Sequence, residues 1–183
     1  VYYTDGEKGL RIYASGLVEY TAPRPGSSFR QQLPYGPSLQ KGAESQSLYG
    51  GFLEDTYLYD VRETGSGYRL IWRQIPGGLV LEGENTSCEI FLEGQSVSYL
   101  RRNFWLAGAE VAACRPFRSF EEALCRALFL QQDSLPGEKA TLLSLRPVYH
   151  LPAGCEERAI PAWAVSFAET GTIYLHWSTL EQL

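Results

Sequence analysis

The sequence lacks the residue patterns on which several classes of function depend. It has no methionine and only two histidines among 183 residues, and its cysteines, Cys88, Cys114, Cys125 and Cys155, form no Cys-x-x-Cys pair. Zinc and thiol-exchange sites need closely spaced Cys or His, so we expect no cofactor and no metal. Free, partly buried thiols are the simplest interpretation of the cysteines, and disulfides are the alternative in an exported protein.

Clustered basic residues and long apolar runs are also missing. Lys and Arg number 16 against 21 Asp and Glu, the net charge is −5, and the densest basic spot is the pair Arg101-Arg102. Because binding to phosphates needs clustered basic side chains, the sequence argues against nucleic acid. The best apolar stretch, 159–168, is interrupted by Pro161 and is shorter than the roughly 20 residues that cross a bilayer.

The absence of methionine, with Val1 in first position, has two explanations. A start methionine can be trimmed before a small residue, and a longer precursor cut back to Val1 explains the absence as well. In the second case the removed part is an export signal or a membrane anchor.

What is present is the composition of one globular domain. Hydrophobic residues make up 44% and charged residues 20% of the chain. We therefore expect a single domain over 1–183, large enough to fold without metal or disulfides. Pro, Gly, Ser and Gln are enriched over 22–52, which predicts a long loop-rich connection with a short helix near Ser38 to Tyr49.

Alternating apolar and polar residues predict strands over most of the rest. Glycine-containing turns separate them, as between 57–62 and 68–73, and one covered face with one wet face is typical of antiparallel sheet. Further strands are predicted over 79–81, 87–92, 96–102, 141–149, 159–167 and 172–177.

One helix is clearly indicated after Pro116. Ser119 and Glu122 have the spacing of a capping box, and an apolar stripe with helical period follows them. The stripe predicts a helix that ends near Gln132 and packs on the sheet. The fold class is therefore predicted as α+β, an antiparallel sheet with one main helix.

The sequence holds little that could serve as a catalytic site. The nearest arrangement is His150 with Cys155 and Glu156-Glu157, and no nucleophile signature surrounds it. The sequence therefore predicts a protein that is not an enzyme.

The last predicted strand offers the residues most suited to contact. Tyr174 and His176 fall on one face, and Ile173, Leu175 and Trp177 fall on the other. Aromatic side chains here could meet a ligand or partner, so Tyr174, His176 and Trp177 are the candidate contact residues. Coverage by a neighbouring loop is the alternative.

The C-terminal third resembles a known family. Its helix reads Ser119-Phe120-Glu121-Glu122-Ala123-Leu124, and a strand ends in Val148-Tyr149. The segments Ile160-Pro161-Ala162-Trp163-Ala164-Val165 and Gly171-Thr172-Ile173-Tyr174-Leu175 follow. This pattern resembles the YycI and YycH regulatory proteins and, more loosely, PepSY-type domains. The resemblance implies a helix on a small antiparallel sheet over 116–177, with Ser119, Glu122, Pro161 and Trp163 as structural motif residues.

The same resemblance implies a function. It suggests a non-enzymatic extracytoplasmic protein that is anchored to the cell membrane by a removed N-terminal helix. Such a protein would regulate a membrane sensor histidine kinase in two-component signalling, through contact with the kinase or another membrane-anchored regulator. The alternatives are a module that binds cell-wall glycan or peptide, and a PepSY-like peptidase inhibitor.

Overall fold

The computed structural model describes residues 1–23, 33–48, 51–52, 55–83, 86–103, 117–134, 136–137, 139–153 and 158–183. Contacts divide the chain into two compact units. One comprises 1–76 and 84–106, and the other comprises 77–83 and 107–183. The single domain expected over 1–183 stays a prediction.

The first unit is built on an antiparallel sheet of seven strands in the order β1-β2-β3-β8-β7-β5-β4. Its strands are β1 (Tyr2–Thr4), β2 (Gly9–Ile12), β3 (Val18–Thr21), β4 (Thr56–Thr64), β5 (Gly67–Gln74), β7 (Ser87–Glu93) and β8 (Ser96–Arg102). Side chains that alternate along β5, β7 and β8 form its core, as the period-two pattern predicts. The buried members are Leu70, Trp72, Cys88, Ile90, Leu92 and Leu100.

The helix α1 (Tyr35–Leu48) belongs to this unit. It lies close to the sheet because Gly42 faces Leu70 and Trp72, where a methyl group would overlap the Leu70 side chain. Residues 35–48 of the expected loop-rich segment 22–52 are thus helix, and residues 24–32 and 49–50 lie outside the described residues. The predicted short helix is confirmed and is longer than expected.

The second unit contains a four-stranded sheet in the order β11-β10-β9-β6. The strands are β6 (Val80–Gly83), β9 (Leu142–Leu151), β10 (Ile160–Phe167) and β11 (Gly171–His176). Helix α2 (Phe120–Ser134) covers one face, and its Ala123 and Ala127 are fully buried. Trp163, Val165 and Phe167 lie beneath the helix and form the core with these alanines.

The capping box and the start of β10 are formed by the motif residues. The Ser119 amide donates to Glu122 Oε2 at 3.0 Å, and the Glu122 amide donates to Ser119 Oγ at 3.3 Å. The Pro161 carbonyl oxygen accepts from the Trp177 amide at 3.2 Å. Trp163 Nε1 donates to the Arg118 carbonyl oxygen at 3.2 Å, which fixes the chain that enters α2.

The strand predicted over 79–81 is present as β6, but its pairing was not expected. It lies between β5 and β7 in the sequence but pairs in parallel with β9, so that Glu82 stands opposite His150. The α+β class is confirmed as a mostly antiparallel structure. The expected single sheet with one helix is replaced by two sheets and two helices within the described residues.

Gly67, at the start of β5, offers a test of the close approach between β5 and β7. A methyl group at Gly67 would overlap the Leu92 carbonyl oxygen on β7, whereas one at Gly65 in the same hairpin meets nothing within 4 Å. We expect Gly67→Ala to lower the free energy of unfolding by about 2 kcal/mol, because backbone cannot yield as a side chain can. The control Gly65→Ala should stay within about 0.5 kcal/mol of the parent. Urea unfolding measures both, and equal values would contradict this close approach of β5 and β7.

Candidate functional site

The candidate site is a polar cluster on the sheet face of the second unit that points away from α2. Along β10, Ala162 and Ala164 lie on this face and are fully buried, as is Val148 on β9. Small side chains on the central strand leave room for long side chains that reach over them from the neighbouring strands. Glu82, Arg146, His150 and Tyr174 occupy that room and are called the polar cluster below.

Glu82 on β6 is the centre of the polar cluster. Arg146 donates to its Oε1 from Nη2 at 2.8 Å and from Nε at 3.2 Å. The Tyr174 hydroxyl donates to its Oε2 at 3.0 Å, which joins β11 to β6 across the two strands between them. The Glu82 side chain is 2% exposed and that of Arg146 is 30% exposed, so the carboxylate is buried while the guanidinium keeps some contact with water.

His150 completes the polar cluster. Its ring stacks on that of Tyr174, with centroids 3.8 Å apart and planes inclined by 15°. Burial lowers the pKa of His150 below its usual 6.5, and the Glu82 carboxylate opposes that shift. His150 Nδ1 is buried and has no hydrogen-bond partner among the described residues.

The three predicted contact residues are divided between two faces. Tyr174 belongs to the polar cluster, and His176 lies on the same face two residues along β11. His176 Nδ1 accepts the amides of Ser178 and Thr179 at 3.3 Å each. Trp177 lies on the other face, packed against the core beneath α2 and against Phe117 at 6.0 Å between ring centroids.

The catalytic arrangement considered from the sequence falls only partly within the described residues. Cys155, Glu156 and Glu157, which the sequence places near His150, lie outside them. No group of three or more potential metal ligands occurs within the described ranges. No helix in the same part of the chain is long and apolar enough to span a membrane.

Sequence reasoning missed Glu82 and Arg146. They are 64 residues apart, and the parallel pairing that brings their strands together has no local signal. The position of Glu82 beside a short apolar strand was the one available signal of a buried ion pair, because a buried charge requires a partner.

Comparison with known proteins identifies the fold. No family model and no curated protein matches the chain. The chain is similar to the C-terminal domain of YpeB from Bacillus megaterium, with a TM-score of 0.53, 9% identity and coverage of 100% of this chain and 84% of that chain. It is also similar to an uncharacterized protein from Eubacterium rectale ATCC 33656, with a TM-score of 0.57, 10% identity and coverage of 100% and 75%.

These likenesses define the class of protein at the level of fold alone. They show that the chain shares its fold with the C-terminal domain of YpeB. They do not confirm the assignment to YycI or YycH.

His150 makes the stability of the chain depend on pH. A histidine whose pKa is lower in the folded state binds fewer protons there, so stability is fully present above the ordinary pKa of 6.5 and falls as the pH drops below it. The limiting slope for one proton is about 1.4 kcal/mol per pH unit.

We expect His150→Phe, which keeps a ring against Tyr174, to flatten this acid slope. The control His176→Gln should retain it. Urea unfolding at a series of pH values measures both slopes, and a parent-like slope in His150→Phe would contradict the assignment.

Proposed function

We propose that this chain is a non-enzymatic protein that acts by contact with another protein. The observation that carries this proposal is the closed bonding of the polar cluster, since the Glu82 carboxylate is buried and bonded by Arg146 and Tyr174. A carboxylate bonded on both oxygens has little capacity left for a substrate. The Cys88 thiol is also unsuited to nucleophilic chemistry, because burial raises its pKa to about 12.

The specific proposal is an extracytoplasmic regulator of a membrane sensor histidine kinase. It is supported by the resemblance carried by the Ser119 helix and the Pro161-Ala162-Trp163 segment. In this proposal an N-terminal helix ahead of Val1 anchors the protein to the membrane. The partner is the kinase or another membrane-anchored regulator.

Regulation by contact requires a difference in affinity between two states of the kinase. A bound protein shifts an equilibrium only by that difference, so the contact surface must meet a part of the kinase that changes. The solvent side of α2 is one available surface, because Phe120 and Phe129 are each more than half exposed.

A binding module for cell-wall glycan or peptide, or a peptidase inhibitor, is the second candidate. The PepSY-like fold of the neighbour is compatible with either. Both would use non-covalent contact, and they differ from the first candidate in the chemistry of what is bound.

Co-purification tests the first candidate. Tagged full-length protein, extracted from membranes in mild detergent, should recover a sensor histidine kinase. A variant without the anchor should lose both the recovery and the effect on the kinase's output, because anchoring raises the local concentration of the partners. Regulation that survives loss of the anchor would count against the proposal.

Thermal unfolding separates the second candidate from the first. A wall fragment present at 100 times its dissociation constant adds about 2.7 kcal/mol to stability. Melting curves that stay flat across a panel of glycan and peptide fragments, with no inhibition of extracellular proteases, would exclude the second candidate.

A further inference from the structure

We propose that helix α1 is a displaceable cover, which opens as one unit while the seven-stranded sheet beneath it stays folded. Opening uncovers the apolar sheet face around Leu70 and Trp72 and the thiol of Cys88, all of which lie under this helix. This inference goes beyond the proposed function, and it holds or fails without reference to the identity of any partner.

The surface that α1 turns to the sheet is small and polar. Its buried residues are Ser38, Gly42, Ser45 and Gln46. Of the α1 side chains, Leu39 alone joins the apolar core cluster of the described residues, and it is only partly buried. In the first turn, Tyr35 meets Tyr68 edge-on at 6.1 Å between ring centroids but stays more than half exposed. Because apolar area is what stabilises a docked helix, α1 itself contributes little to its own docking.

The side-chain hydrogen bonds of α1 remain almost entirely within its own segment. The buried Ser38 and Ser45 hydroxyls donate to backbone carbonyl oxygens one turn earlier, at 3.0 Å and 2.7 Å. Among the described residues, the one side-chain hydrogen bond between α1 and the sheet runs from Cys88 Sγ to Gln46 Oε1 at 2.8 Å. A thiol is a weak donor, so this bond adds little to the attachment of the helix.

Gln46 also favours the open state. Its side chain is fully buried, and its Nε2 has no hydrogen-bond partner among the described residues. A buried amide group without a partner destabilises the closed state, and water satisfies that group once the helix opens. The Gln46 amide therefore lowers the free energy needed to open α1.

The helix has little stability apart from the sheet. Its 14 residues include two glycines and three serines, which are weaker helix formers than alanine or leucine. An isolated helix of this length is marginal even with better helix formers. We therefore expect undocking and unfolding of α1 to be one event. Segments with few buried apolar contacts open at a lower free energy than the whole protein.

Labelling of the Cys88 thiol with iodoacetamide measures this opening. The variant Cys114→Ser/Cys125→Ser/Cys155→Ser keeps Cys88 as its one thiol. Without urea, we expect labelling to be at least about tenfold faster than global unfolding of the same variant allows, and to depend little on urea, because opening exposes little surface. Labelling that follows the global free energy of unfolding at every urea concentration would overturn the inference.

Gln46→Met and Gln40→Met, each made in this single-thiol variant, are a matched pair on the buried and exposed sides of α1. Gln46→Met removes the unpartnered amide and keeps the length of the side chain, so Cys88 labelling should slow by about tenfold. Gln40 is exposed and bonds only to Glu44 on the same helix, so its variant should label within about twofold of the parent. Unchanged or faster labelling in Gln46→Met would count against the inference.

Ile71→Val, in the same background, separates local from global opening. Ile71 is buried between Leu70 and Trp72 along β5, so its side chain lies on the sheet face opposite α1. The substitution should lower the urea midpoint of global unfolding and leave Cys88 labelling without urea unchanged. If Cys88 were reached only by global unfolding, labelling would accelerate by about fivefold, and that result would exclude the proposed cover.

Amide hydrogen exchange tests the opening in the unaltered chain. The amides of 39–48 should exchange through one common opening and be less protected than those of β5 and β7. Equal protection in α1 and in these strands would contradict the inference. So would a Cys88 thiol that is labelled while the α1 amides stay protected, because the reagent would then reach it by another route.

Discussion

The arrangement of the second unit depends on one buried carboxylate. Glu82 sits on a four-residue strand that is paired on one side with β9, and its burial is tolerable because Arg146 and Tyr174 bond both oxygens. An unpaired charge at this position would lower the free energy of unfolding by several kcal/mol. The same bonds hold Tyr174 over the sheet, where its ring meets His150, so β6, β9 and β11 are joined by a single group.

The need to bond the Glu82 carboxylate explains why the two faces of the sheet differ in composition. The face beneath α2 is apolar and forms the core, while the opposite face uses small alanines on β10 to admit long polar side chains. Polar groups that are bonded to each other fix the geometry of this face.

Local features were predictable from sequence because each has a local cause. The capping box of Ser119 and Glu122 marks the start of α2, and the composition of 159–167 marks β10 as a strand. Helix α1 was underestimated because its buried side consists of small or polar residues, Ser38, Gly42, Ser45 and Gln46. This stripe has helical spacing without the apolar pattern that reveals a helix. The parallel pairing of β6 was not predictable, because it joins residues far apart through side chains that carry no local signal.

A double-mutant cycle between Glu82 and Arg146 tests the central claim most directly. Glu82→Gln and Arg146→Met should each lower the free energy of unfolding by about 3 kcal/mol, since each leaves a buried or half-buried polar group without its partner. The double variant should lose at least about 1 kcal/mol less than the sum of the two, because the pair is then removed together. Strictly additive losses would contradict the claim that this pair holds β6 in the sheet.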